Sequence, residues 1–164
     1  MTDTYIPRRL GAHVRKAAAE FSAVVVGGPR QSGKTTLLKH LFAGQMPIVS
    51  LEPPDVRLAA QSDPRGFLNL YPAPVILDEI QYAPGLLPYI KETIDANRNR
   101  TGQYILTGSQ NLLLMSQVTE SLAGRAAVLK LLPLTRREAA RVDADNFPWE
   151  NPPAPAMPAM STAD

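Results

Sequence analysis

The sequence has 164 residues, of which 45% are hydrophobic and 20% are charged, and its formal net charge is +2. This length and composition predict one globular domain with a sizeable core and exclude a wholly disordered chain. The absence of cysteine excludes a disulfide scaffold, a thiolate metal site and a cysteine nucleophile, and the two histidines, His13 and His40, lie too far apart in sequence to form a metal cluster on their own.

The first third of the chain is basic, with seven Lys/Arg and two Asp/Glu in residues 1–50. A basic region suits the phosphates of nucleotides or nucleic acids, and it is equally typical of an ordinary solvated surface. The opening segment has no apolar signal-peptide core, and no stretch approaches the roughly 18 apolar residues of a membrane span. We therefore expect a cytoplasmic protein without a membrane partner.

Five short apolar runs predict five β-strands, and helical patterns separate them. The runs are continuous rather than alternating, which is typical of strands covered on both faces in a parallel sheet. Helices are expected through 37–42 and 86–94, with shorter ones near 55–61, 64–70 and 110–122. This alternation predicts an α/β fold, a three-layer α/β/α sandwich whose ligands bind at the carboxyl ends of the strands. The predicted strands are Ala23–Gly27, Met46–Leu51, Pro74–Leu77, Gln103–Thr107 and Ala126–Leu132.

The first predicted strand runs into a glycine-rich loop that opens a helix. Its residues, Gly28, Pro29, Arg30, Gln31, Ser32, Gly33, Lys34 and Thr35, match the phosphate-binding pattern G-x-x-x-x-G-K-[ST]. Backbone N–H groups from about Gln31 to Thr36 would cup a polyphosphate, while the glycines allow a tight path and a close approach of oxygens. Lys34 is expected to reach the β- and γ-phosphates, and Thr35 is expected to give its hydroxyl to Mg²⁺.

The third predicted strand delivers two adjacent carboxylates, Asp78 and Glu79, to its carboxyl end. Carboxylates after an apolar strand are costly unless something cationic lies there. Asp78 suits the residue that holds Mg²⁺ in P-loop enzymes, and Glu79 is then placed to act as general base on an attacking water.

The fourth predicted strand ends in a polar cluster. Ser109 is the first candidate, and Gln110 the second, to hydrogen-bond the γ-phosphate or the nucleophilic water. Ser109 is equally suited to cap the following helix.

Three other positions carry arginines whose roles the sequence leaves open. Arg125 precedes the last strand, where it would stabilise γ-phosphate charge in cis or on a neighbouring subunit, or simply lie on the surface after a glycine that ends a helix. Arg30 lies within the loop, without an assigned phosphate. Ile6, Pro7, Arg8 and Arg9 would fold over the adenine or form a basic surface end.

The last 22 residues form a separate segment in this interpretation. Residues 143–164 hold four acidic and no basic residues, and five of the sixteen prolines of the chain fall among the last 17. Such a segment cannot hold a helix or a central strand. The predicted organisation is a domain at 1–142 and a disordered, proline-rich tail at 143–164.

Together, these motifs resemble a bacterial and archaeal family of AAA+-like P-loop ATPase domains. The resemblance rests on VVVGGPRQSGKTTLLKHLF, PVILDEIQYAPGLLPYIKETID, YILTGSQNLLL and ESLAGRAAVLKLLPLTRREA, and covers about residues 5–142. It implies a five-stranded parallel sheet of order 5-1-4-3-2 and a water activated by a glutamate. By the same resemblance, Ser109 matches the sensor position and Arg125 the arginine before the last strand.

The function predicted from these residues is Mg²⁺-dependent binding and hydrolysis of ATP. Family members usually continue beyond PLTRREA into a helical or winged-helix lid and a C-terminal domain, so the resemblance also implies a chain truncated before that lid. The alternatives are a nucleotide-binding switch or remnant without useful turnover, and a nucleic-acid-associated module, suggested by the basic first third and by Arg136, Arg137 and Arg141. Self-association or a protein partner is also left open.

Overall fold

The computed structural model describes residues 5–109 and 112–140, which form five strands and seven α-helices. The strands are β1 (Ala23–Gly27), β2 (Ile48–Ser50), β3 (Val75–Asp78), β4 (Tyr104–Gly108) and β5 (Ala126–Lys130). The helices are α1 (Leu10–Glu20), α2 (Lys34–Leu41), α3 (Pro54–Ser62), α4 (Pro64–Leu70), α5 (Leu87–Ala96), α6 (Leu112–Ser121) and α7 (Arg136–Ala139). Two short 3₁₀ turns, Ile80–Tyr82 and Pro84–Leu86, connect β3 to α5.

The strands form one parallel sheet of order β5-β1-β4-β3-β2, which confirms the predicted order. β1 lies between β4 and β5, with Gly27 in register with Gly108. β3 lies between β2 and β4, with Leu77 in register with Leu106. The loops after β1, β3 and β4 therefore meet at the same edge of the sheet, which we call the carboxyl edge.

Two apolar layers cover the sheet, one on each face. Val24 and Val26 of β1 point to the layer that contains α1 and α2, while Val25 points to the layer that contains α5. All five residues of β1 and of β4 are buried. This confirms the three-layer α/β/α sandwich.

The fifth strand departs from the prediction of burial on both faces. It ends at Lys130 rather than at 132, and Val128 is 47% exposed. The reason is its position at the edge of the sheet: β5 pairs with β1 alone among the described strands, and Val128 is only about half covered. β2 is also shorter than predicted, at Ile48–Ser50.

No helix in residues 5–109 and 112–140 has the length and hydrophobicity needed to cross a bilayer. The predicted proline-rich tail at 143–164 lies outside the described residues, as do Gln110 and Arg141.

Candidate functional site

The glycine-rich loop lies between β1 and α2, at the carboxyl edge of the sheet. Two of its residues have left-handed backbone conformations, Gln31 with φ 60° and Gly33 with φ 89°. At Gly28 a Cβ atom would overlap the backbone carbonyl oxygen of Leu131, which follows β5. The first glycine of the motif is therefore required by its neighbour in the fold, in addition to any close approach of a phosphate.

The side chain of Lys34 is folded into this loop. The residue is only 4% exposed, and its Nζ donates hydrogen bonds to the carbonyl oxygens of Gly28 (3.1 Å) and Pro29 (3.0 Å). No carboxylate in the described ranges lies within ion-pairing distance of it. A buried ammonium that has only carbonyl partners makes the loop a favourable place for an anion.

A second polar group in the loop lacks a partner. The hydroxyl oxygen of Ser32 is buried and makes no hydrogen bond with any described residue. Leaving such a group unpaired costs about 1–3 kcal/mol, which a bound acceptor would recover. An oxygen-rich anion fits both Ser32 and Lys34.

Thr35, in the first turn of α2, contacts Asp78, the last residue of β3. The Thr35 hydroxyl lies 3.1 Å and 3.0 Å from the two carboxylate oxygens of Asp78, which is only 7% exposed. Hydroxyl and carboxylate oxygens are the hard ligands that Mg²⁺ prefers. No group of three or more Asp, Glu or His residues with metal-binding geometry occurs among the residues described, so the remaining ligands would be phosphate oxygens and water.

Thr107, at the end of β4, is a site residue that the sequence analysis missed. It is fully buried, and its hydroxyl donates to Asp78 Oδ1 (2.5 Å) while it accepts the backbone N–H of Glu79 (3.0 Å). One hydroxyl thus fixes both members of the acidic pair. The predicted strand order contained the signal, because strands 3 and 4 are neighbours and a polar residue at the end of one faces the end of the other.

Glu79 opens onto a cavity of about 180 Å³. Its backbone is left-handed (φ 62°, ψ 53°), a conformation that costs a non-glycine residue roughly 1–3 kcal/mol. The side-chain amide of Gln81 donates to the Glu79 carboxylate, and Gln81 Oε1 is buried without a partner among the described residues. The cavity is lined by Arg30, Glu52, Glu79, Gln81, Tyr82 and Ser109.

Three residues singled out from the sequence, on the loops after β1, β3 and β4, line this cavity. Ser109 and Glu79 share it, as the sequence-based interpretation requires, and Arg30 lines it. Glu52 and Gln81 were not identified from the sequence. Glu52 follows β2, the strand beside β3, and the same neighbour argument would have found it.

A second cavity, of about 300 Å³, lies on the α1 side of the loop. Tyr5, Ile6 and Arg8 line it from the N-terminal segment, together with loop residues and Thr36 of α2. The ring of Tyr5 stacks on that of His40, with centroids 3.7 Å apart. Burial raises the pKa of the Tyr5 hydroxyl above its ordinary value. This cavity adjoins the glycine-rich loop, and part of its wall is apolar.

Arg125 does not join this site. It precedes β5 and so lies at the amino edge of the sheet, where its backbone carbonyl accepts the N–H of Ala23 (3.1 Å). Its guanidinium donates to both carboxylate oxygens of Asp95 (2.7 and 3.0 Å) and to the carbonyl of Ala123 (2.9 Å). The prediction that Arg125 acts in cis on a phosphate at this chain's own loop is therefore wrong. A cavity of about 500 Å³ lies beside it, and Asp95 in its wall pairs with both Arg98 and Arg125.

A parallel sheet of this order, a loop with the G-x-x-x-x-G-K-T pattern after β1 and an acidic pair at the end of β3, with β4 between these two strands, define a P-loop ATPase domain of the AAA type. A family model described as "AAA domain" matches residues 20–140. The chain belongs to this family.

The chain is similar in sequence to two mycobacterial proteins and in fold to an archaeal ATPase. The uncharacterized proteins Rv2008c of Mycobacterium tuberculosis and Mb2031c of Mycobacterium bovis are each 29% identical over 158 residues, which is 96% of this chain and 35% of theirs. The chain thus spans about a third of the length of the curated relatives that it matches. The Walker-type ATPase PABY2304 of Pyrococcus abyssi has a similar fold, with a TM-score of 0.57 and 14% identity over 85% of this chain and 57% of that one.

Proposed function

We propose that this chain binds ATP together with Mg²⁺ and hydrolyses the bond between the β- and γ-phosphates. The observation that carries the proposal is a single juxtaposition. A buried ammonium, Lys34, has no carboxylate partner within the described residues, and the next residue of the chain, Thr35, contacts Asp78. Cation, hydroxyl and carboxylate together suit a polyphosphate and its metal better than any uncharged ligand.

Each part of the nucleotide has a proposed place. The phosphates would occupy the loop from Gly28 to Thr36, where the Ser32 hydroxyl has no partner among the described residues and the Lys34 ammonium has only carbonyl partners. The base would lie in the cavity lined by Tyr5 and Ile6, which offers a partly apolar surface beside the loop. The metal would be held by Thr35 and, directly or through water, by Asp78, and when bound it would supply positive charge against the phosphate oxygens.

The chemical step assigned to this site is an in-line attack by water on the γ-phosphorus. Glu79 would accept a proton from the water as the oxygen–phosphorus bond forms and the bond to the leaving ADP oxygen breaks, so that ADP and inorganic phosphate result. Ser109 shares the cavity with Glu79 and would contact the γ-phosphate or the water. Lys34 would stabilise the charge on the transferred group.

Two substitutions and their controls test the proposal. Lys34→Ala is expected to abolish binding of an ATP analogue, whereas Lys39→Ala, an exposed lysine on the same helix, is expected to bind normally. Glu79→Gln is expected to bind nucleotide and to lower kcat by about 10²- to 10⁴-fold, while Glu120→Gln at an exposed position retains wild-type turnover. If Lys34→Ala binds nucleotide as the wild type does, the proposal fails.

A nucleotide-binding switch without useful turnover is the second candidate. One contact favours it. The Gln81 amide donates a hydrogen bond to the Glu79 carboxylate, and this bond makes the carboxylate a weaker acceptor for a proton from water. If the wild type binds nucleotide but turns over no faster than Glu79→Gln, the chain is a binder. Association with nucleic acid, self-association that would bring Arg125 to a neighbour's site, and cytoplasmic localisation remain predictions.

A further inference from the structure

The buried side chain of Arg8 joins three separate parts of the chain. Its Nη1 donates to the carbonyl oxygen of Ser32 in the phosphate loop (2.7 Å), and its Nη2 donates to the carbonyl of Leu132 after β5. Its Nε lies 3.3 Å from Glu138 Oε1 in α7. Both charged side chains are nearly enclosed, with 6% of Arg8 and 8% of Glu138 exposed.

Glu138 is held in place independently of Arg8. Its Oε2 accepts the backbone N–H of Thr135 (2.9 Å), which completes a capping box at the start of α7, and its Oε1 accepts the N–H of Arg9 (3.0 Å). Burial raises the pKa of Glu138, but these hydrogen bonds together with Arg8 outweigh burial and leave the pKa below its ordinary value. The carboxylate is therefore a fixed anchor for the guanidinium.

The contact with Ser32 has a direct consequence for the loop. The carbonyl of Ser32 and the N–H of Gly33 belong to one planar trans peptide group, so they point in opposite directions. The hydrogen bond from Arg8 holds the Ser32 carbonyl pointing toward the guanidinium, so the N–H of Gly33 points away from Arg8. In the proposed function this is the side on which loop N–H groups meet phosphate oxygens.

We propose that Arg8, anchored by Glu138, is a positioning residue that orients the Ser32–Gly33 peptide for phosphate binding and links nucleotide occupancy to the docking of α7. The proposal rests on the proposed nucleotide binding, and it goes beyond it by assigning a residue outside both motifs. Because one guanidinium contacts both the loop and α7, a change in the loop on binding is transmitted to Glu138, and release of α7 loosens the loop.

The test compares Arg8→Lys and Glu138→Gln with Arg15→Ala, a charge removal at an exposed position on α1. Affinity for a fluorescent ATP analogue with Mg²⁺ is measured well below the melting temperature of every variant. Arg8→Lys is expected to bind about tenfold more weakly, the effect of losing one hydrogen bond from a charged group. Glu138→Gln, which removes the charge paired with Arg8 Nε, is expected to weaken binding to a similar extent, and Arg15→Ala is expected to bind as the wild type does. If the two residues act as one unit, the double variant binds no more weakly than Arg8→Lys.

Two further readouts separate positioning from a purely structural role. In turnover assays KM is expected to rise while kcat changes by less than about twofold, since Arg8 acts on binding and not on the water. Amide hydrogen exchange at 135–140 is expected to slow on addition of nucleotide in the wild type and not in Arg8→Lys. A variant that binds as tightly as the wild type, or melts earlier with unchanged affinity, overturns the inference. A wild-type chain that binds no nucleotide overturns the proposed function itself.

Discussion

Replacing Thr107 by valine removes one hydroxyl and leaves the size of the side chain almost unchanged. The hydroxyl is fully buried and makes two hydrogen bonds, to the Asp78 carboxylate at 2.5 Å and from the Glu79 N–H at 3.0 Å. A hydrogen bond to a charged group contributes about 1.5–3 kcal/mol, and a buried N–H left without a partner costs about 1–3 kcal/mol. We expect Thr107→Val to lower the free energy of unfolding by about 3 kcal/mol.

Urea denaturation monitored by circular dichroism measures this loss, and Thr107→Ser is the matched control because it keeps the hydroxyl. Thr107→Ser is expected to retain most of the stability and most of kcat. Thr107→Val is expected to lower kcat as well, because Asp78 and Glu79 lose the group that fixes them. A Thr107→Val variant with stability within about 0.5 kcal/mol of the wild type and unchanged turnover would contradict the role given to this hydroxyl.

Three further predictions follow from other contacts. Gly28→Ala should destabilise the fold by roughly 1–3 kcal/mol in urea titrations even without nucleotide, because its Cβ would overlap the Leu131 carbonyl; a ligand-dependent effect alone would contradict this. The pKa of Glu138 is lowered in the folded state, so its contribution is present above the ordinary value of 4.5 and is lost as the pH falls through the folded-state pKa. Melting temperatures below pH 4.5 should therefore depend less on pH in Glu138→Gln than in the wild type. Arg125→Met should leave turnover unchanged at protein concentrations too low for association, and a fall in kcat there would contradict its placement beside Asp95.

The sequence predicted the sheet well because the apolar runs carried one unambiguous signal. Continuous burial of β1 and β4 requires helices on both faces of the sheet. The apolar positions at helical spacing in 37–42 and 86–94 predicted these helices. The strand order came from resemblance to a family and not from periodicity. The same logic failed at β5, since Val128 is as apolar as its neighbours, and a sequence does not mark which strand lies at the edge.

The site was predicted where its residues belong to a recognised motif and missed where they do not. Lys34 and Thr35 follow from the spacing of the loop motif, and Asp78 follows from its place at the end of an apolar strand of the same sheet. Thr107 and Gln81 lie in no phosphate-binding pattern. Each donates one hydrogen bond to a carboxylate. The contact of Thr107 with Asp78 depends on the register between β3 and β4, whereas Gln81 contacts Glu79 two residues before it in the chain.

Two of the arginines whose roles the sequence left open, Arg8 and Arg125, were decidable from topology. Arg125 comes just before a parallel strand, so it must lie at the amino edge, and five residues of strand at about 3.3 Å each separate it from the loops that bind ligands. Arg8 comes just before α1, which ends two residues before β1 begins and therefore runs back along the sheet. An 11-residue helix spans about 16 Å, similar to the strand, so its first turn returns to the carboxyl edge. Charge did not distinguish these arginines. The direction of the element that follows each one placed Arg8 on the phosphate loop and Arg125 away from it.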